Sequence, residues 1–279
     1  MFKIKKYIPD IVVAIILIAG IGLLAYPTIG DYINALHSSK AIGSYVEKTK
    51  DLSKEEKENL LREAREYNES LVGKVNRYYL NEEEKKRYAH ILDITKTGIM
   101  AYVEIPKLNI YMPVYHGTDE GVLQIAAGHL PGSSLPVGGE NTHSLISGHR
   151  GLPSAKLFTD IDKLKKGDLF FIHVFDEVLA YKVNQIKIVL PDDVETLEIE
   201  KGKDYVTLIT CTPYGVNSHR LLVRGERTVY KQSESKIEDM IKKNNLKYIM
   251  LTAGVILALI GMTVLVSVFL IKRRKRRKL

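Results

Sequence analysis

The chain of 279 residues holds one cysteine, Cys211, at the end of the apolar, β-branched run VTLIT. Arg220 follows nine positions later, at the head of a second such run, RLLVRG. A buried cysteine is often only a small hydrophobe. A thiol close to a base or a cation is a nucleophile instead, because the thiolate is the reactive form. An arginine beside it cannot act as a base, since it does not lose its proton in proteins. It can donate hydrogen bonds to the oxyanion that forms when a thiolate attacks an acyl carbon. The pair therefore points to acyl transfer, and the missing part is a proton carrier.

Eight histidines are available. His37 and His90 fall in a Lys- and Glu-rich helical region and are expected at its surface. His173 sits inside an apolar run, as a packed residue would. His219 adjoins Arg220, and neighbours on a strand point to opposite faces. His116 and His129 are loop candidates, and His143 is expected to be packed or half exposed. His149 differs from these. It follows the run THSLISG and precedes Gly151 and Pro153. A side chain at a strand end beside a glycine turn is held by the scaffold yet reachable by substrate. His149 is thus the candidate acid and base. The histidines and the single cysteine lack metal-ligand spacing, and no stretch forms a recognisable calcium loop. No cofactor is expected.

Two apolar stretches flank the region that must position these residues. Ile11–Tyr26 is uncharged over 16 residues and follows a basic end. Tyr248–Ile271 is uncharged over 24 residues and precedes the tail KRRKRRK. The second is long enough to span a bilayer. Basic flanks mark the cytoplasmic side, so both ends are expected inside and the middle outside. The first stretch has a signal-peptide alternative, but LLAYPTIG offers no clear small-residue cleavage site, which favours an uncleaved anchor. The net charge of +8 comes from the termini: residues 27–247 carry 31 basic and 32 acidic side chains. Nucleic acid is therefore not an expected partner. A lone cysteine in an exported domain forms no internal disulfide and leaves a free thiol.

Within the exported part, 28–96 reads as helical. SKEE at 53–56 is a capping box, with Leu60, Ala64, Tyr67 and Leu71 at helical spacing behind it. A second short helix is expected from Asn81 to about Leu92. From about Thr97 the pattern becomes short β-like runs punctuated by Gly, Pro, Asn and Asp, as in a closed barrel or sandwich. One helical insert, SAKLFTDIDKL at 154–164, lies among them.

TLITC at 207–211 matches the TLxTC signature of sortases, to which the chain is similar from about Gly98 to Gly225. SGHRGLPSAKLFTDIDKL around His149 and TCTPYGVNSHRLLVRG around Cys211 and Arg220 resemble class C, the pilus-assembling branch. IPKLNIYMPVYHGT and GHLPGSSLPVGG add to the likeness.

The resemblance implies a mainly β fold: a closed sortase-type β-barrel with short helices, preceded by an α-helical arm and flanked by two transmembrane helices. It implies Cys211 as nucleophile, His149 as proton donor and acceptor, and Arg220 as transition-state stabiliser. The implied reaction cleaves an LPXTG-like signal between Thr and Gly, holds the protein as a thioester and passes it to a lysine of another pilin.

The division expected is a cytoplasmic basic end (1–10), membrane anchor or uncleaved signal (11–27), extracellular helical arm or lid region (28–96) and catalytic barrel (97–230). A linker (231–247), transmembrane helix (248–271) and cytoplasmic tail (272–279) follow. Housekeeping attachment to a cell-wall precursor and a membrane-tethered cysteine peptidase are the alternative activities. A non-enzymatic receptor would leave the three residues unexplained. Many class C enzymes carry a lid with an Asp-Pro-aromatic motif. No Asp-Pro occurs here, so the usual anchored lid is expected to be absent or altered, with Tyr78 and Tyr79 as substitutes for its aromatic.

Overall fold

Short β-branched runs close on themselves when each can pair on both edges, which leaves no unpaired backbone edge. A computed structural model of the chain shows this arrangement. It describes residues 8–230 and a few isolated positions between 250 and 261. The linker, second membrane helix and basic tail expected at 231–279 lie outside the described residues. Eight strands form a closed barrel in the order β1-β2-β3-β4-β7-β8-β6-β5. They are β1 (Ile99–Ile105), β2 (Ile110–His116), β3 (Ala127–His129), β4 (Thr142–Ser147), β5 (Leu169–Val174), β6 (Glu177–Val189), β7 (Asp204–Thr212) and β8 (His219–Arg227). β3 pairs parallel with β2, and β4 parallel with β7; every other pair is antiparallel.

Seven of the strands follow the runs seen in the sequence. The eighth, β3, is three residues long and has too little alternation to be read alone. The insert at 154–164 is not an α-helix. It holds turns and a short 3-10 helix, Ile161–Lys163. Leu157 adopts a positive φ of 39° there, which breaks helical geometry.

Among the described residues through 230, four α-helices accompany the barrel: α1 (Ile8–Asp51), α2 (Lys54–Leu71), α3 (Glu82–His90) and the one-turn α4 (Glu120–Leu123). α1 runs unbroken from the apolar stretch into the arm, with Pro27 inside it. Its N-terminal part is long and apolar enough to cross a membrane. α2 opens with the Ser53–Glu56 capping box, and α3 opens with a second one, Asn81–Glu84. Each satisfies donors that a helix start leaves free.

The arm is not a separate body. Ile42 and Tyr45 of α1, Leu61 and Tyr67 of α2 and Tyr88 of α3 are buried in one core with Met100, Val103, Phe170 and Val223 of the barrel. Asn68 adds a reciprocal pair, its amide donating to Leu135 O (3.1 Å) and its Oδ1 accepting from Leu135 N (2.6 Å). Deep in the interior such a pair satisfies backbone that water cannot reach.

Candidate active site

Antiparallel pairing of β7 and β8 sets Cys211 directly opposite Arg220. Directly opposed residues share a face with Cβ atoms about 4.5–5.5 Å apart. The same face carries Ile209 opposite Leu222, because side chains alternate along a strand. Val206, Leu208, Leu221 and Val223 point the other way, into the main core. The thiol and guanidinium therefore lie on the outer face of the barrel wall. Both residues are half-buried. Arg220 Nη1 donates to Asn217 O (3.3 Å) and His219 O (3.2 Å), which ties its side chain to the β7–β8 connection.

β4 brings the histidine. It pairs parallel with β7 in a register that sets Ser147 beside Ile209. The pairing continues past the strand: Gly148 N donates to Ile209 O (3.0 Å), and Thr210 Oγ1 donates to Gly148 O (2.7 Å). The Ser147–Ile209 pair stands two residues short of His149 on one strand and two short of Cys211 on the other, so the register directs both toward the same end of the barrel. Gly148 is required because a Cβ there would lie 2.6 Å from the Phe158 ring. Phe158 is fully buried, and its N–H donates to His149 O (3.1 Å). Gly151 holds the following turn at φ +79°, close against Tyr214.

His149 Nε2 lies 3.3 Å from Glu120 Oε2, on the first turn of α4. The other Glu120 oxygen accepts from Gln124 Nε2 (3.1 Å). Gln124 first, and then His149, hold the Glu120 carboxyl below the usual carboxylate range. Glu120 had no signal in the sequence, because no short-range pattern links it to a histidine 29 residues away.

Four other histidines of the barrel, His116, His129, His143 and His173, are held by hydrogen bonds within the fold. His129 is not in a loop: it sits in β3, fully buried. Its Nε2 lies 2.8 Å from Ser134 O and its Nδ1 2.9 Å from the Tyr88 hydroxyl. Burial pushes its pKa down to about 3. His143 is buried between Glu198 O (2.9 Å) and Thr207 Oγ1 (2.7 Å), and burial lowers it to about 4. Both are neutral at physiological pH. His116 closes β2, with its ring nitrogens 2.9 Å from Gly98 O and 2.8 Å from Ile91 O. His173 meets Glu104 at 2.7 Å.

The outer face beside the Cys211–Arg220 pair is an apolar patch of Leu145, Leu197, Ile209 and Leu222, against which Tyr78 and Val189 pack. Leu197 belongs to the β6–β7 connection. Arg77 Nη2 donates to Leu197 O (2.7 Å) and to the Tyr78 hydroxyl (2.7 Å). The segment before α3 thus lies on the same face as Cys211, held by Arg77 and Tyr78 without an Asp-Pro motif. Tyr79 points to solvent.

The sortase domain family matches residues 103–228. Sortase C1 from Streptococcus agalactiae is 49% identical, with a TM-score of 0.67, covering 69% of this chain and 100% of that one. Sortase C from Streptococcus pneumoniae is 47% identical, with a TM-score of 0.63, covering 70% of this chain and 99% of that one. Sortase A of Bacillus anthracis is 31% identical over 133 residues, 48% of this chain and 61% of that protein. The chain likewise spans 61% of the length of Streptococcus agalactiae sortase A, at 28% identity. A barrel of this topology, matched along its length by class C enzymes at nearly half identity, makes the chain a member of the sortase family of cysteine transpeptidases.

Proposed function

We propose that this chain is a class C-type transpeptidase that joins surface-protein subunits at the outer face of the membrane. The observation that carries the proposal is the direct Cys211–Arg220 pairing, and the β4–β7 register, which ends two residues before His149 and two before Cys211, supports His149 as the third member. The Cys211 thiolate attacks the threonine carbonyl carbon of an LPXTG-like signal. Arg220 donates hydrogen bonds to the oxyanion as it forms. Collapse breaks the Thr–Gly C–N bond, and His149 donates a proton to the departing amine. A thioester on Cys211 remains. A lysine amine then attacks it and passes a proton to His149, and the thiolate leaves as a new amide forms.

The likeness to class C enzymes supports a pilin lysine as acceptor; the pneumococcal sortase C is described in terms of pilin substrate specificity. α1 supports attachment to the membrane. We place both termini inside and the barrel outside, with a second span at 248–271.

The test is intact mass of the full chain in detergent after incubation with an LPXTG peptide. An adduct equal to the peptide up to its threonine, absent in Cys211→Ala and released by a lysine-bearing pilin domain, supports the reading. Cleavage without an adduct, or release by water alone, favours a peptidase. Release by a cell-wall precursor amine in preference to the pilin favours housekeeping attachment.

A further inference from the structure

α1 joins the apolar stretch to the barrel as one helix, so where it touches the barrel decides which end of the barrel faces the bilayer. Gly30 packs against the loop after His149: a Cβ there would lie 2.9 Å from Ser154 O. One residue on, Asp31 Oδ1 accepts from Lys156 N (2.9 Å). Fourteen residues further, Tyr45 marks the other end of the contact. Its hydroxyl donates to Met100 O (3.1 Å) and accepts from Phe175 N (3.0 Å). Met100 is the second residue of β1, and Phe175 lies in the turn between β5 and β6. β1, β4, β6 and β7 run in one direction and the other strands oppose them. Met100 and Phe175 therefore lie at the end opposite Cys211. The helix enters at the end where β4 and β7 finish and leaves toward the far end. From Tyr26 to Asp31 is about 7.5 Å of helix at 1.5 Å per residue. The loop that follows His149 sits that close to the end of the apolar stretch.

A second observation is independent of α1. Across the barrel and its connections, residues 99–230, the exposed large apolar side chains are Ile125, Ile188, Leu190, Val194, Tyr214, Val216, Val229 and Tyr230. Six of these lie at the Cys211 end: Ile188 near the finish of β6, Leu190 and Val194 after it, Tyr214 and Val216 between β7 and β8, and Ile125 just before β3; Val229 and Tyr230 follow β8 at the opposite end. The connections at the opposite end read GGEN (138–141) and EKGK (200–203). Tyr214 also packs against Gly151, so it belongs to the same surface as the loop that α1 holds. An exposed tyrosine among aliphatics suits the headgroup level of a bilayer, where one part of the ring is apolar and the hydroxyl is wet.

We propose that the Cys211 end of the barrel rests against the surface of the bilayer that α1 enters. The 151–156 loop and the β7–β8 connection form the contact. The inference rests on reading 11–27 as a retained anchor. A site in this position is open to a polypeptide held at the membrane and shielded from one in bulk solvent.

The experiment uses the full chain carrying Cys211→Ser, reconstituted in phosphatidylcholine–phosphatidylglycerol vesicles. A single fluorophore is attached through Lys156→Cys or Pro153→Cys in the loop, or through Lys201→Cys at the far end. Flotation after an alkaline wash comes first, then quenching by a lipid with a nitroxide headgroup. The expected result is that the label at 156 or 153 loses most of its emission and the label at 201 loses little. Protein that floats but is quenched equally at both ends, or more at 201, overturns this proposal and leaves the anchor standing. Protein that does not float overturns both.

Discussion

Cys211 and Arg220 face each other across adjacent strands, nine residues apart in the chain and direct neighbours in the β7–β8 ladder. The ladder fixes their separation through backbone hydrogen bonds, so the thiol and the guanidinium share one face with little freedom to drift. Removing either should therefore separate two effects. Cys211→Ala is expected to form no acyl adduct. Arg220→Ala is expected to form it about 10²- to 10³-fold more slowly, the usual cost of losing an oxyanion donor. Timed intact-mass measurements check both.

Glu120 is clamped by Gln124 on one oxygen and meets His149 with the other. It is largely exposed, so its influence on the imidazole is modest. Glu120→Gln is expected to lower kcat/KM by at most about fivefold, the size of an exposed ion pair. Steady-state kinetics of the variant beside the unaltered chain check it.

Gly148→Ala places a methyl group against the buried Phe158 ring. The cost in stability is expected at about 1–3 kcal/mol, as for other overpacked positions. Acylation should suffer beyond that, because relief requires movement of the segment that ends in His149. Denaturant unfolding and adduct formation at a temperature where the variant is folded separate the two.

His129 and His143 are held neutral, with pKa values of about 3 and about 4. The unfolded chain takes up these protons near pH 6.5. Between the two values the unfolded state binds more protons than the folded one, so stability is full above about pH 6.5 and falls as pH drops. Each histidine contributes up to about 1.4 kcal/mol per pH unit in its window. Unfolding free energies measured from pH 7 to 4.5 should fall steadily, and His143→Gln should flatten the slope.

Tyr88 links three elements: its hydroxyl meets His129 and accepts from Gly117 N (3.0 Å). Tyr88→Phe leaves that buried N–H without a partner and should cost about 1–3 kcal/mol. The loss should appear in thermal unfolding of the whole arm-and-barrel unit, because Tyr88 lies in the shared core.

The barrel was largely legible because its strands are rich in β-branched residues and end at Gly, Pro, Asn or Asp. The two capped helices were legible for a local reason too, since a capping box is written within four residues. β3 was not, and neither was the turn structure of 154–164, where helix-like composition yields to contacts with Asp31 of α1 and the pinned Phe158. The burial of His129 was hidden, and that of His143 was one of two readings left open, because burial depends on what a distant segment brings over them, here α3 and the β6–β7 connection.

Local chemistry in the sequence singled out the candidate residues: a lone thiol at a strand end, an arginine opening the next run, and a histidine at a glycine turn. Hydrophobic patterning determined that strands would form and that an apolar helix would precede them. Tertiary structure alone decided how these meet. The β7–β8 register faces Cys211 with Arg220, the parallel β4–β7 pairing directs the strand end before His149 toward the end of β7, and the packing of α1 sets which end of the barrel lies nearest its apolar stretch. Register, pairing partner and helix docking are long-range relations, set by burial across the whole core, and no window of neighbouring residues encodes them.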